Sequence, residues 1–171
     1  MTDVPAGGGA AAARDLLAEL RRRGLTAATA ESLTGGLVAA EITAVPGASD
    51  VFRGGVVAYA TDAKTAVLGV PPDLLEAVGP VADRTASAMA RAVRVLFDCD
   101  LGIATTGVAG PSPVGDIPPG VAYVAAALGT GPVRVRRVFA AGDRDAIRRT
   151  CVEAALAVGL AALESGHNSG E

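Results

Sequence analysis

The residue types able to do acid–base and nucleophilic chemistry are few in this chain and fall at particular places. Of its fifteen basic residues only Lys64 is lysine, in the segment Tyr59-Ala60-Thr61-Asp62-Ala63-Lys64. Arginine stays charged at physiological pH, whereas a lysine moved out of water or toward positive potential can lose its proton and act as a base. The single histidine, His167, lies in the polar tail Ser165-Gly166-His167-Asn168-Ser169-Gly170-Glu171, so any acid–base chemistry falls to other groups. A leftover surface lysine in an arginine-biased sequence is the plainer alternative.

Ser32 precedes the pair Gly35-Gly36 in Ser32-Leu33-Thr34-Gly35-Gly36. A serine at the end of a strand exposes its hydroxyl at the sheet rim, and glycines let backbone amides approach a ligand. Ser32 or Thr34 serving only as a helix cap is the competing use. Thr105-Thr106-Gly107-Val108-Ala109-Gly110-Pro111 offers two hydroxyls before a glycine-containing turn, a pattern able to bind an anion or line a substrate pocket. It lacks the Lys-Ser or Lys-Thr ending of a phosphate-binding loop and does not match the dinucleotide fingerprint.

A neutral lysine can deprotonate a serine hydroxyl, as in Ser–Lys hydrolases. Near a helix N-terminus the dipole lowers the lysine pKa, and burial lowers it further, while Asp62 pushes the other way. The sign of the net shift is open at this point. Tyr59 could relay a proton or hold the amine, or simply pack at the sheet edge with a wet hydroxyl. An oxidoreductase built on a Tyr–Lys pair is disfavoured, because four residues separate Tyr59 from Lys64 and no dinucleotide loop precedes them.

These residues need a scaffold. Helical periodicity predicts a helix over residues 10–23, with Leu16, Leu17 and Leu20 on one face and Gly24 closing it. A strand over 26–31 runs into the Ser32 turn, which opens into a helix ending before Pro46. A second strand spans 53–59. Thr61 or Asp62 then caps a short helix that stops at Gly69, with Lys64 in its first turn. Residues 83–97 form an amphipathic helix with Met89, Val93, Leu96 and Phe97 inward and Arg84, Arg91 and Arg94 outward. A strand over 101–105 leads to a proline-rich loop through Pro119, then a hairpin of 121–128 and 133–139. A last helix over 143–163 is apolar round most of its circumference from Cys151, so it is deeply buried or shared with another subunit. Residues 1–9 and 165–171 read as flexible tails around one domain, 10–164. Alternating elements with one hairpin give a three-layer α/β/α sandwich around a mixed, mostly parallel sheet.

Composition narrows the classes further. With 171 residues, half of them apolar, the chain makes one domain with a core of small aliphatic side chains. A net charge of −3 argues against nucleic acid as a partner, and Arg21-Arg22-Arg23 reads as a solvated helix end. Cys99 and Cys151 are expected as buried free thiols, and no metal site or cofactor is expected. The start of the chain does not read as a signal peptide, and no apolar run reaches the roughly 20 residues of a membrane span. A cytoplasmic protein is the expectation.

Four linked segments carry a resemblance: Thr29-Ala30-Glu31-Ser32-Leu33-Thr34-Gly35-Gly36, Pro46-Gly47-Ala48-Ser49, Tyr59 to Lys64, and Thr106 to Pro111. In order and spacing they resemble the CinA C-terminal-domain family, over roughly residues 16–163. That family includes stand-alone bacterial nicotinamide-nucleotide amidases of the PncC type. The resemblance implies deamidation of nicotinamide mononucleotide to nicotinic acid mononucleotide and ammonia, in pyridine-nucleotide recycling. It implies Ser32 as nucleophile, Lys64 as its base, and Tyr59 and Thr106 as hydrogen-bonding partners of the reacting groups. Thr34, Gly35, Gly36, Thr105, Gly107 and Gly110 would bind substrate, with amides near Thr34 to Gly36 facing the oxyanion, and Arg144 would hold the phosphate. Leu33 stands where members often carry Cys, and residues 112–119 replace a loop that is often richer in Gly and carries a Lys. The pyrophosphatase-like domain of long members is not expected here, so the chain works alone or as a homo-oligomer on a small nucleotide. A non-catalytic nucleotide- or partner-binding domain is the alternative.

Overall fold

Ala27–Glu31 forms strand β1, buried along its whole length, as expected of a central strand covered on both faces. In the computed structural model, which describes residues 8–165, it lies between two parallel neighbours, β2 (Phe52–Val57) and β3 (Leu101–Gly107). Strands β4 (Val121–Leu128) and β5 (Arg134–Phe139) complete the sheet as an antiparallel hairpin, giving the order β2-β1-β3-β4-β5. The chain leaves β1 toward β2 on one side, while β3 lies on the other. In open α/β sheets a crevice forms at the carboxyl ends of strands where the order reverses in this way.

Helices cover both faces. Helices α1 (Gly8–Arg23), α2 (Leu37–Thr43) and α6 (Arg144–Ser165) share one core with alternate strand residues such as Leu101, Ile103, Val124 and Ala126. On the opposite face, α5 (Asp83–Leu96) packs on Ala28, Ala104, Ala125 and Ala127, flanked by α3 (Thr61–Leu68) and α4 (Pro72–Val78). Period-two alternation along each strand separates the two cores. The second core is built largely of alanine, which lets helix and sheet approach closely. At Gly102 a Cβ would overlap the Ala90 carbonyl oxygen of α5, so only glycine fits there.

Most expected elements form within a residue or two, and the three-layer mixed sandwich stands. Several details differ. Gly8 and Gly9 belong to α1 and Ser165 to α6, while residues 1–7 and 166–171, with His167, lie outside the described residues. Helix α4 follows Pro71-Pro72, which reads as a stop after Gly69; Pro72 instead occupies the first turn of a helix, where its missing N–H costs nothing. Helix α3 has Ala60 as its cap residue, which makes no side-chain capping bond; Asp62 lies inside the first turn and accepts from the Ala63 amide. The buried stripe of α5 is Thr85, Ala86, Met89, Ala90 and Val93, continued by half-buried Phe97. Leu96, the last residue of α5, is exposed, although at about 100° per residue it falls between buried Thr85 and Met89 on the helix circumference. Arg84 and Arg91 point outward, whereas Arg94 is half-buried. Helix α6 buries Cys151, Ala155, Leu156, Gly159 and Leu163 within this chain. Both cysteines are free and buried.

Candidate active site

The carboxyl ends of β1, β2 and β3 point the same way, and each delivers one polar group to a common pocket of about 190 Å³. Ser32 directly follows β1, Tyr59 follows β2 by two residues, and Thr106 is the penultimate residue of β3. The pocket is lined by Ser32, Tyr59, Lys64, Thr106 and Arg144, with the Pro80-Val81 segment and the Gly107–Gly110 turn as walls.

Lys64 is the largest fully buried side chain among the described residues, at 1% exposure. Its Nζ lies 3.1 Å from Ser32 Oγ, 2.9 Å from the Ala58 carbonyl oxygen and 3.3 Å from the Tyr59 carbonyl oxygen. Burial pushes its pKa below the ordinary lysine value. Asp62, expected to oppose that shift, is exposed and accepts from the Ala63 amide instead. Two of the three partners of Nζ are carbonyls, which can only accept. A neutral amine has two N–H groups, so it satisfies both and keeps its lone pair for the serine hydroxyl.

The turn holding Ser32 is fixed from below by Glu31, which is 1% exposed. One carboxylate oxygen accepts from Thr34 Oγ1 at 2.7 Å, the Gly36 amide at 2.9 Å and the Val38 amide at 3.0 Å; the other accepts from the Ala39 amide at 2.8 Å. Anionic charge is thus placed on the amides that open α2, where orphan donors and the helix dipole favour it. Gly36, at φ 98°, supplies the left-handed residue that brings those amides round to the carboxylate. From above, Arg148 donates to the Leu33 carbonyl at 3.1 Å and the Thr34 carbonyl at 2.9 Å.

The expected site residues therefore separate. Ser32, Tyr59, Lys64, Thr106, Gly107, Gly110 and Arg144 meet around the pocket. Thr34, Gly35, Gly36 and Thr105 are not among its lining residues. Thr34 and Thr105 are fully buried beneath it, their hydroxyls 2.8 Å apart. The Gly36 amide is taken by Glu31, and the Gly35 amide donates to the Ser32 carbonyl at 3.0 Å. Neither is available to an oxyanion, which corrects that expectation: the glycines shape the turn. The Leu33 and Thr34 amides have no acceptor among the described residues.

Thr106 Oγ1 donates to the Pro80 carbonyl at 2.6 Å. Exposed Arg144 donates to Tyr59 Oη at 2.7 Å and to the Gly110 carbonyl at 2.6 Å, across the pocket mouth. Glu31, Arg148 and Pro80 are absent from the sequence-based assignment. Signals for the first two existed: an acidic residue just ahead of a small-residue turn into a helix, and a second arginine one helical turn beyond Arg144. Nothing in the sequence brings Pro80 to Thr106. Among the described residues no group of His, Cys, Asp or Glu side chains could hold a metal, and no helix is long and apolar enough to cross a membrane.

Fold and site together define a single-sheet α/β/α domain with a histidine-free serine–lysine pair at the carboxyl ends of its parallel strands. Residues 10–163 match the CinA C-terminal domain, and the chain belongs to that family. It is 50% identical over 141 residues to a CinA-like protein of Frankia casuarinae, covering 82% of this chain and 32% of that one. It is 46% identical over 134 residues to a CinA-like protein of Myxococcus xanthus, covering 78% and 32%. The chain thus spans about a third of the length of these relatives. Among solved structures, the competence/damage-inducible protein CihA of Agrobacterium tumefaciens superposes with a TM-score of 0.87 at 34% identity, covering 96% of this chain and 99% of that one.

Proposed function

We propose that the protein hydrolyses the carboxamide of nicotinamide mononucleotide, giving nicotinic acid mononucleotide and ammonia, as a step in pyridine-nucleotide recycling. The observation that carries this reading is the arrangement at Lys64: a buried amine, lowered in pKa, with two carbonyl acceptors and Ser32 Oγ at 3.1 Å. As Ser32 Oγ attacks the carboxamide carbon, its proton passes to Lys64 Nζ. The carbonyl oxygen takes up the electron pair and faces the free amide of Leu33, which lines the pocket. Collapse of the tetrahedral intermediate breaks the C–N bond, and the Lys64 proton leaves with the nitrogen as ammonia. A water then attacks the acyl-serine ester, with Lys64 as base, releasing the acid and restoring Ser32. Arg144, at the mouth, is placed to exchange its bonds to Tyr59 and Gly110 for a substrate phosphate, the stronger charge-assisted partner.

The pocket's ~190 Å³ is below the roughly 300–1,000 Å³ of sites that enclose a whole ligand. It accommodates the reacting end, leaving the ribose phosphate at the surface near Arg144. Incubation of the purified protein with nicotinamide mononucleotide should release ammonia. Ser32→Ala should abolish release, and Lys64→Ala should lower it by about 10²–10⁴-fold, the usual worth of a positioned base. Nucleotide binding without ammonia release by the wild type would instead support a binding-only domain, a reading favoured by the exposed 112–119 loop at the pocket edge.

A further inference from the structure

The hydrogen of the Thr106 hydroxyl is committed. Its partner, the Pro80 carbonyl oxygen, can only accept, and the 2.6 Å separation is short for a neutral pair. The connection carrying Pro80 is itself held, because buried Thr85 donates its hydroxyl to the adjacent Gly79 carbonyl at 2.7 Å and Val81 is buried. Thr106 therefore presents lone pairs, not a donor, to the pocket it lines. No described residue donates to that oxygen.

Thr106 also sits beside the nucleophile. Glu31 and Thr105 are register partners on β1 and β3, and the Ser32 amide donates to the Thr105 carbonyl at 3.0 Å. Ser32 and Thr106 are thus the next pair along neighbouring strands, whose spacing is about 4.8 Å. An acceptor-only group at that distance complements a substrate group that can only donate. We infer that Thr106, locked by the Pro80 carbonyl, is the specificity residue at the reacting end: it accepts a hydrogen bond from the amino group of a primary carboxamide and disfavours groups without an N–H. This rests on the Ser32–Lys64 amidase reading and extends it. The carboxylate product would turn an oxygen toward the same lone pairs, which favours its release.

The test compares two compounds, nicotinamide mononucleotide and the methyl ester of nicotinic acid mononucleotide, which lacks the N–H. Thr106→Val should lower kcat/KM for the amide by about tenfold more than for the ester, the worth of one lost hydrogen bond to an otherwise paired group. Ester turnover shows that this variant is folded. Thr106→Ser, which keeps the hydroxyl, should retain the wild-type preference for amide over ester. Nicotinic acid mononucleotide should inhibit Thr106→Val more strongly than the wild type. Equal losses on both compounds, or an unchanged preference in Thr106→Val, overturn the inference while leaving the amidase reading intact. A wild type inert on both compounds removes that reading and the inference with it.

Discussion

Replacing Glu31 should loosen the turn that holds Ser32, and the structure sets both the size and the order of the effect. The two carboxylate oxygens are used unequally: three donors converge on one and a single amide on the other. Glu31→Gln can keep its carbonyl oxygen on the three donors, but its NH2 then faces the Ala39 N–H. One charge-assisted bond is lost and two donors oppose each other, a cost of about 1–2 kcal/mol. Glu31→Ala removes all four bonds and the anion at the start of α2. Losing a helix cap costs up to about 2 kcal/mol, and at least one buried donor left without a partner adds about 1 kcal/mol, for a total of about 3. Water entering the vacated space would satisfy some of the rest, so the four bonds are not summed. Urea unfolding at neutral pH, with unchanged m-values, should rank wild type above Glu31→Gln above Glu31→Ala. An alanine variant within about 0.5 kcal/mol of the wild type, the usual range for a neutral surface change, would refute the clamp, as would a glutamine variant less stable than the alanine one.

Two further outcomes follow from the packing. Gly102→Ala should cost about 3 kcal/mol in the same experiment, because the new methyl meets the Ala90 backbone and α5 must move off the sheet. Burial pushes the thiols of Cys99 and Cys151 up from their ordinary 9.0 to about 11, with Asp100 adding to the shift at Cys99. A raised folded pKa means stability that is present below pH 9 and lost as the pH climbs from there toward 11. Each thiol adds a slope of at most about 1.4 kcal/mol per pH unit. Cys151→Ala should make the alkaline decline shallower, whatever its effect at neutral pH; an identical slope contradicts this.

Much of this arrangement was legible in the chain, for physical reasons that differ by residue. Strand β1 announces itself by ending in a small-residue turn, so Ser32 could be set at the sheet rim without coordinates. Lys64 could be set in the first turn of α3 because Gly69 and the prolines fix where that helix ends. What pattern cannot supply is the assignment of donors to acceptors. Gly35 and Gly36 looked like suppliers of amides to a ligand, but a carboxylate one strand-end earlier takes the Gly36 amide and the Ser32 carbonyl takes that of Gly35. Thr34 and Thr105 were each expected to bind substrate, and their hydroxyls bond each other in the core instead. Pro80 reaches Thr106 only because α4 forms, and the double proline that begins α4 is equally good as a stop signal. Leu96 shows the limit of periodicity at a helix end, where a residue in line with the buried stripe can still be exposed.

The account turns on the charge of one nitrogen, and the sequence makes that nitrogen unusually accessible to measurement. Because Lys64 is the only lysine, protein grown on lysine labelled at the ε-carbon and ζ-nitrogen carries a single labelled side chain. Following its NMR signal through a pH titration reports this one amine directly. Its midpoint should lie below the ordinary 10.5, since burial is what acts on it and no carboxylate hydrogen-bonds it. A midpoint at or above 10.5 would mean a retained ammonium, and Ser32 would then have no base beside it.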